Sequence, residues 1–130
     1  MIKEQLTQLA QITDAVFQAK NAELAREVAR ERDLRKALAT LVTDQSDRAT
    51  AVLDNTDTAM IAGADVRWRT WVEQRRRLIN AELAQCRVAQ AQCREAAAKA
   101  FGRYQAVLSL EENRAVEAKK TAARRSTYTS

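Results

Sequence analysis

Proline is absent from this chain of 130 residues, and glycine occurs only at Gly63 and Gly102, while strong helix formers fill almost every other position. A chain without breakers predicts very long helices joined by a single turn. The turn falls near the middle, where Asp54-Asn55-Thr56-Asp57-Thr58-Ala59-Met60-Ile61-Ala62-Gly63-Ala64-Asp65 is the one extended cluster of turn-favouring residues. The predicted fold is therefore all-α: a long antiparallel two-helix coiled-coil hairpin, a rod, forming one domain over residues 1–130. A helix over about 2–53, a loop over about 54–64 and a helix over about 65–125 follow from the same punctuation, with Asp65 as the N-cap. Ser126-Thr127-Tyr128-Thr129-Ser130 has little helix support and is expected to form a flexible end.

With 30% charged and 5% aromatic residues, the chain cannot fill a thick core. A thin seam between two helices is what these residues can build. The longest apolar run, Ala59 to Ala64, spans six residues, against the ~20 that cross a bilayer, so no transmembrane segment is expected. Met1-Ile2-Lys3-Glu4-Gln5 lacks the basic leader and apolar stretch of a secretory signal, which makes a cytoplasmic address the expectation.

Histidine is missing altogether. That removes the usual general base and every Ser-His or Cys-His nucleophile pair, so neither enzymatic activity nor a cofactor is expected. Cys86 and Cys93 lie seven residues apart, ~10 Å along a helix axis, too far for a mutual disulfide. With no histidine or second cysteine cluster to complete a coordination shell, no metal site is expected, and both cysteines read as small seam residues.

On the first helix, Ile2, Leu6, Leu9, Val16, Leu24, Val28, Leu34, Leu38 and Leu41 are separated by sums of threes and fours, one apolar stripe that Gln45, Ala49 and Val52 can extend. Asp44, Ser46 and Asp47 compete with the helical backbone and predict fraying in the last turns. On the second helix, Leu83, Cys86, Gln90, Cys93, Ala97, Ala100, Tyr104 and Val107 alternate at three and four, a heptad seam. Upstream, Trp68, Val72, Arg75 and Ile79 keep the rhythm, displaced by one residue between Ile79 and Leu83. Glu31 with Arg35, Glu73 with Arg77 and Glu95 with Lys99 form i,i+4 pairs. Gly102, beside Phe101, marks a bend, a close contact or simply a tolerated glycine.

The net charge is +5, with Arg67, Arg69, Arg75, Arg76 and Arg77 in one cluster and Lys119, Lys120, Arg124 and Arg125 in another. Such runs fit an acidic partner or a solvated helix face. Trp68 and Trp71 stand beside the first cluster. Aromatics with arginine are enriched at binding hot spots, while the structural alternative packs Trp68 against Met60 and Ile61 with Trp71 alongside.

The chain resembles the flagellar export protein FliJ and its injectisome counterparts, the YscO-like stalk proteins. The resemblance rests on length, a long first helix, the break with Asp54-Asn55-Thr56-Asp57 and Ala62-Gly63, and Arg67-Trp68-Arg69-Thr70-Trp71 opening a basic second helix. Farther on it rests on Phe101-Gly102-Arg103-Tyr104-Gln105-Ala106-Val107-Leu108 and Glu111-Glu112-Asn113-Arg114. It implies a stalk whose paired termini enter a hexameric export ATPase, promote ring assembly and couple the ring to the cytoplasmic domain of the export gate. Export chaperones are further implied partners, and the implied address is cytoplasmic, peripheral at the inner-membrane export apparatus.

On that resemblance Lys3, Lys119, Lys120, Arg124 and Arg125 are the candidate ring contacts. Candidate gate contacts are Leu41, Trp68, Trp71, Leu78 and Ala81. The family's gate positions fall at Ala37, Leu41, Asp44 and Arg48 on the first helix and at Gln74, Leu78, Ala81 and Gln85 on the second. Only Leu41, Leu78 and Ala81 keep the family's residue type, and Leu41 and Leu78 also fit the seam. Two other readings compete. A self-associating structural coiled coil fits the amphipathic stripes, and a basic nucleic-acid binder fits Arg67 to Arg77 with tryptophan stacking, although Glu73 interrupts that cluster.

Overall fold

The computed structural model describes residues 2–53 and 58–129, with side chains over 2–51 and 62–129. Two long helices, α1 (Ile2–Leu53) and α2 (Thr58–Thr129), account for all of them and pack against each other. Asp54–Asp57, within the predicted loop, lie outside the described residues, as do the side chains of Met60 and Ile61. The chain divides into two units, one of Met1–Leu24 with Gln92–Ser130 and one of Ala25–Ala91.

Both helices run through segments where turn chemistry predicts an end. Thr58 to Asp65 is helical, so Asp65 is not an N-cap; its carboxylate pairs with Arg69 at 3.0 Å, one turn on. Asp44, Ser46 and Asp47 do not interrupt α1, and α2 continues through Ser126 to Thr129 instead of stopping at Arg125. Threonine hydroxyls in these segments donate to the carbonyl four residues back, as Thr43 does to Ala39 (3.0 Å), Thr50 to Ser46 (3.1 Å), Thr127 to Ala123 (2.9 Å) and Thr129 to Arg125 (2.9 Å), so they are satisfied within the helix.

In the second unit the core is Leu41, Val72, Ile79 and Leu83, with Leu34, Ala37, Leu38 and Trp68 against it. Val72 is fully buried, and a buried aliphatic of this kind contributes about 1.5–3 kcal/mol. The sheltered α2 positions run Val72, Arg76, Ile79, Leu83, Cys86, Gln90 at strict four-three spacing. Arg75, expected in the seam, is exposed, and Arg76 is the sheltered neighbour. The register therefore shifts between Trp68 and Arg76, through two successive steps of four, and is unbroken from Ile79 to Leu83.

On α1 in this unit, Glu27, Glu31, Leu34, Leu38, Leu41, Gln45 and Arg48 are sheltered at alternating four and three. Val28, expected in the stripe, is 46% exposed, and Ala49 is exposed too.

In the first unit, Ala97, Ala100 and Val107 of α2 are buried. The ring of Phe17 meets that of Phe101 at 5.1 Å and 54°, a tilted pairing favoured by the ring quadrupoles. The half-buried α1 positions here include Leu6, Ala10, Thr13, Phe17, Lys20 and Leu24. Ile2, Leu9 and Val16, expected in the seam, are exposed: Leu9 and Val16 lie one residue before the sheltered positions 10 and 17, about 100° round the helix. Gly63 and Gly102 are ordinary helical positions with open space where a Cβ would stand, so Gly102 marks no close contact.

Candidate docking faces and the polar seam cluster

The residues that sequence reasoning groups as one gate-binding set separate in the structure. Leu41 is buried in the core of the second unit. Trp68 is half-buried against that core, with the Arg48 guanidinium 5.0 Å from its ring centroid, a cation–π contact. Trp71, Leu78 and Ala81 are exposed, the first two at 54% and 58%. Trp71, Gln74, Arg75 and Leu78 line a shallow open groove of about 530 Å³.

That division follows from helical spacing. Trp71, Gln74, Leu78, Ala81, Gln85 and Val88 succeed one another at three and four residues, roughly opposite the buried set of Val72, Ile79, Leu83 and Cys86. The result is an outward apolar stripe interrupted by two glutamines. The arginine cluster beside it is partly occupied: Arg69 pairs with Asp65, Arg76 with Glu73 at 3.8 Å, and Arg67 donates to the Gly63 carbonyl at 3.4 Å. Glu73 thus takes Arg76 at i,i+3 rather than Arg77 at i,i+4. Arg75 and Arg77 make no ion pair or hydrogen bond among the described residues.

The candidate ring contacts are all exposed. Lys3 lines a groove of about 500 Å³ with Leu6, Glu111 and Arg114. Lys119, Lys120, Arg124 and Arg125 lie in the segment from Glu112 to Thr129, in which every residue is exposed. Lys120 pairs with Glu117 at 3.8 Å, an exposed contact of little energetic weight.

A polar cluster inside the seam of the second unit is the feature that sequence reasoning misses. Cys86 is fully buried and Gln90 is 5% exposed. The Cys86 thiol donates to the Glu27 backbone carbonyl at 3.0 Å, and the Gln90 amide donates to the Glu31 carboxylate at 2.9 Å. Glu31 also receives Arg35 at 2.9 Å and lies 3.8 Å from Arg87. The Gln90 hydrogen bond, then that of Arg35, holds the Glu31 carboxyl below the usual carboxylate range. Burial, then the Glu27 carboxylate, pushes the Cys86 thiol up. The signal was present: Glu27 and Glu31 occupy positions in phase with Leu24, Leu34 and Leu38, where solvated carboxylates are unusual.

Comparison with known proteins found no family model, no curated protein and no solved structure that matches this chain.

Proposed function

We propose that this protein is a non-catalytic, antiparallel coiled-coil hairpin that works by binding, as the central-stalk component of a flagellar or injectisome type III export apparatus. On this reading its paired termini insert into a hexameric export ATPase, promote ring assembly, and couple the ring to the cytoplasmic domain of the export gate. Export chaperones are further candidate partners. It acts on the cytoplasmic side of the inner membrane, held there through partners; among the described residues no helix is long and apolar enough to cross a membrane.

The observation that carries the binding half of this reading is the exposure of Trp71 and Leu78 on one face of α2, with unpaired Arg75 between them. A tryptophan half in solvent beside a free guanidinium is the composition of a binding hot spot. The antiparallel arrangement is supported by contacts in the second unit: Arg48 meets Trp68, while Glu31 and Glu27, earlier on α1, meet Gln90 and Cys86, later on α2. A phosphate-binding role draws less support, because Arg69 and Arg76 are engaged by carboxylates.

The test is binding to the cytoplasmic domain of the cognate gate protein, followed by calorimetry. Trp71→Ala and Leu78→Asp are expected to weaken it at least tenfold with helix content unchanged. Absence of wild-type binding at ~100 μM, a level at which even weak specific complexes register, contradicts the gate contact.

A further inference from the structure

Arg75 and Arg77 carry charges that nothing in the chain answers. Trp71, Gln74 and Leu78 mark the midline of the outward stripe of α2, and at 100° per residue Arg75 falls on one flank and Arg77 on the other, each about 80° from that line. Both are exposed, and neither has an ion pair or hydrogen bond among the described residues. Arg67 lies on the line itself, seven residues before Gln74. Between Arg67 and Val88 six arginines stand against two carboxylates, Glu73 and Glu82. Glu73 is engaged by Arg76, and Glu82 is half-buried two turns beyond Arg75.

The stripe continues where the free arginines stop. Ala81 and Val88 extend it past Leu78, and Val88 is 59% exposed. Phosphates engage arginines and leave such side chains in water, so a nucleic acid does not account for this half of the face. A spacing of three and four is what a second helix packs into. The described residues hold no strand edge for an extended segment to pair with. A second copy of this chain brings its own charge of +5, with fourteen basic and seven acidic residues on α2, and is repelled. Carboxylates on either side of an apolar ridge complement the face in both shape and charge.

We propose that the element docking on α2 from Arg67 to Val88 is an acidic amphipathic helix of another protein. Its aliphatic side chains cover Trp71, Leu78 and Ala81, and its flanking carboxylates pair with Arg75 and Arg77. The inference rests on the docking role of Trp71 and Leu78 given above and specifies the chemistry of what they meet. Guanidinium forks take carboxylates in bidentate pairs, and cover by the partner's apolar face strengthens those pairs over the same pairs in open water. Affinity for this face therefore falls as ionic strength rises, which a purely apolar contact does not do.

Calorimetry with a synthetic probe tests it. The probe is a capped helix of about three heptads, with Leu and Ala along one face and Glu on both flanks, set against the same peptide carrying Gln for Glu. At about 50 mM salt the Glu peptide is expected to bind with a Kd below about 100 μM and the Gln peptide at least about tenfold more weakly. Salt at about 0.5 M is expected to weaken the Glu peptide at least about fivefold. Arg75→Glu combined with Arg77→Glu is expected to reverse the preference, selecting a Lys-flanked peptide with helical circular dichroism unchanged. Should that reversal disturb the fold, Arg75→Gln with Arg77→Gln is expected to abolish the preference. Leu78→Asp is expected to weaken the Glu peptide at least about tenfold.

Equal binding of the Glu and Gln peptides, no binding of either at about 1 mM, or an unchanged preference in the folded arginine variants overturns the proposal. A single-stranded oligonucleotide that binds more tightly than the Glu peptide, and equally well to Leu78→Asp, overturns it in favour of phosphates. The gate domain separates the two readings. Gate binding that needs Leu78 but ignores the arginine pair leaves the gate contact standing and overturns the acidic helix. Binding of the Glu peptide without binding of the gate domain supports the acidic helix and overturns the gate contact alone.

Discussion

The side-chain amide of Gln90 on α2 donates a 2.9 Å hydrogen bond to the carboxylate of Glu31 on α1. One turn away, the Cys86 thiol donates to the backbone carbonyl of Glu27 at 3.0 Å. A sliding of either helix by one heptad step breaks both. Polar groups at seam positions fix register at some cost in stability.

The Glu31 carboxyl is held below its ordinary range in the folded chain, chiefly by Gln90 and Arg35, so the unfolded chain takes up the proton at the higher pH. The stability from this group is present above the unfolded value of about 4.3 and is lost as pH falls through the folded one. Urea midpoints measured from pH 7 to pH 3 are expected to fall less steeply for Glu31→Gln than for the parent. Equal slopes contradict the assignment.

The thiols are expected to differ in reactivity. Cys86 is fully buried with its thiol pushed up, while Cys93 is half-buried, and the thiolate is the reacting species. At pH 8, alkylation followed by peptide mass spectrometry should modify Cys93 at least about tenfold faster than Cys86, with the difference abolished in denaturant. The raised Cys86 thiol also stabilises the fold below its unfolded value of about 8.5, a contribution lost as pH rises through the folded value.

Neither glycine is required by the backbone. A Cβ at Gly102 or Gly63 meets open space, and neither has positive φ. Gly102→Ala and Gly63→Ala are each expected to stabilise by about 1 kcal/mol in chemical denaturation. A loss of stability at either position contradicts the open space found there.

Core and face residues separate by stability. Leu41→Ala is expected to cost about 2–4 kcal/mol, since it empties a buried site against Val72 and Ile79. Trp71→Ala, at a position 54% exposed, is expected to change stability by no more than about 0.5 kcal/mol. Thermal unfolding of the two variants distinguishes them.

The two helices are legible in the sequence because nothing in it breaks a helix outside the central cluster. The α2 seam from Leu83 to Val107 is legible for a related reason: apart from Gln90 and Tyr104, its sheltered residues are the small and apolar ones. The α1 seam is not. Ile2, Leu9 and Val16 repeat every seven residues and look like a seam, yet the sheltered phase lies one residue later and includes Thr13, Lys20, Glu27 and Glu31. Two helices alone shelter little area, and the aliphatic stems of Lys and Glu cover a seam almost as well as a leucine does. Hydrophobicity therefore does not select the phase. Trp68 and Trp71 carry the same lesson, since three residues of spacing suit one face, but only Trp68 reaches the core.

The most direct test of the stalk account is a titration of the purified protein into its cognate type III export ATPase, following ATP hydrolysis and ring formation together. The account predicts saturable stimulation of both, lost when Lys119, Lys120, Arg124 and Arg125 are all replaced by glutamate. No binding and no change in rate at micromolar concentrations contradicts it, leaving a self-associating structural coiled coil as the better account.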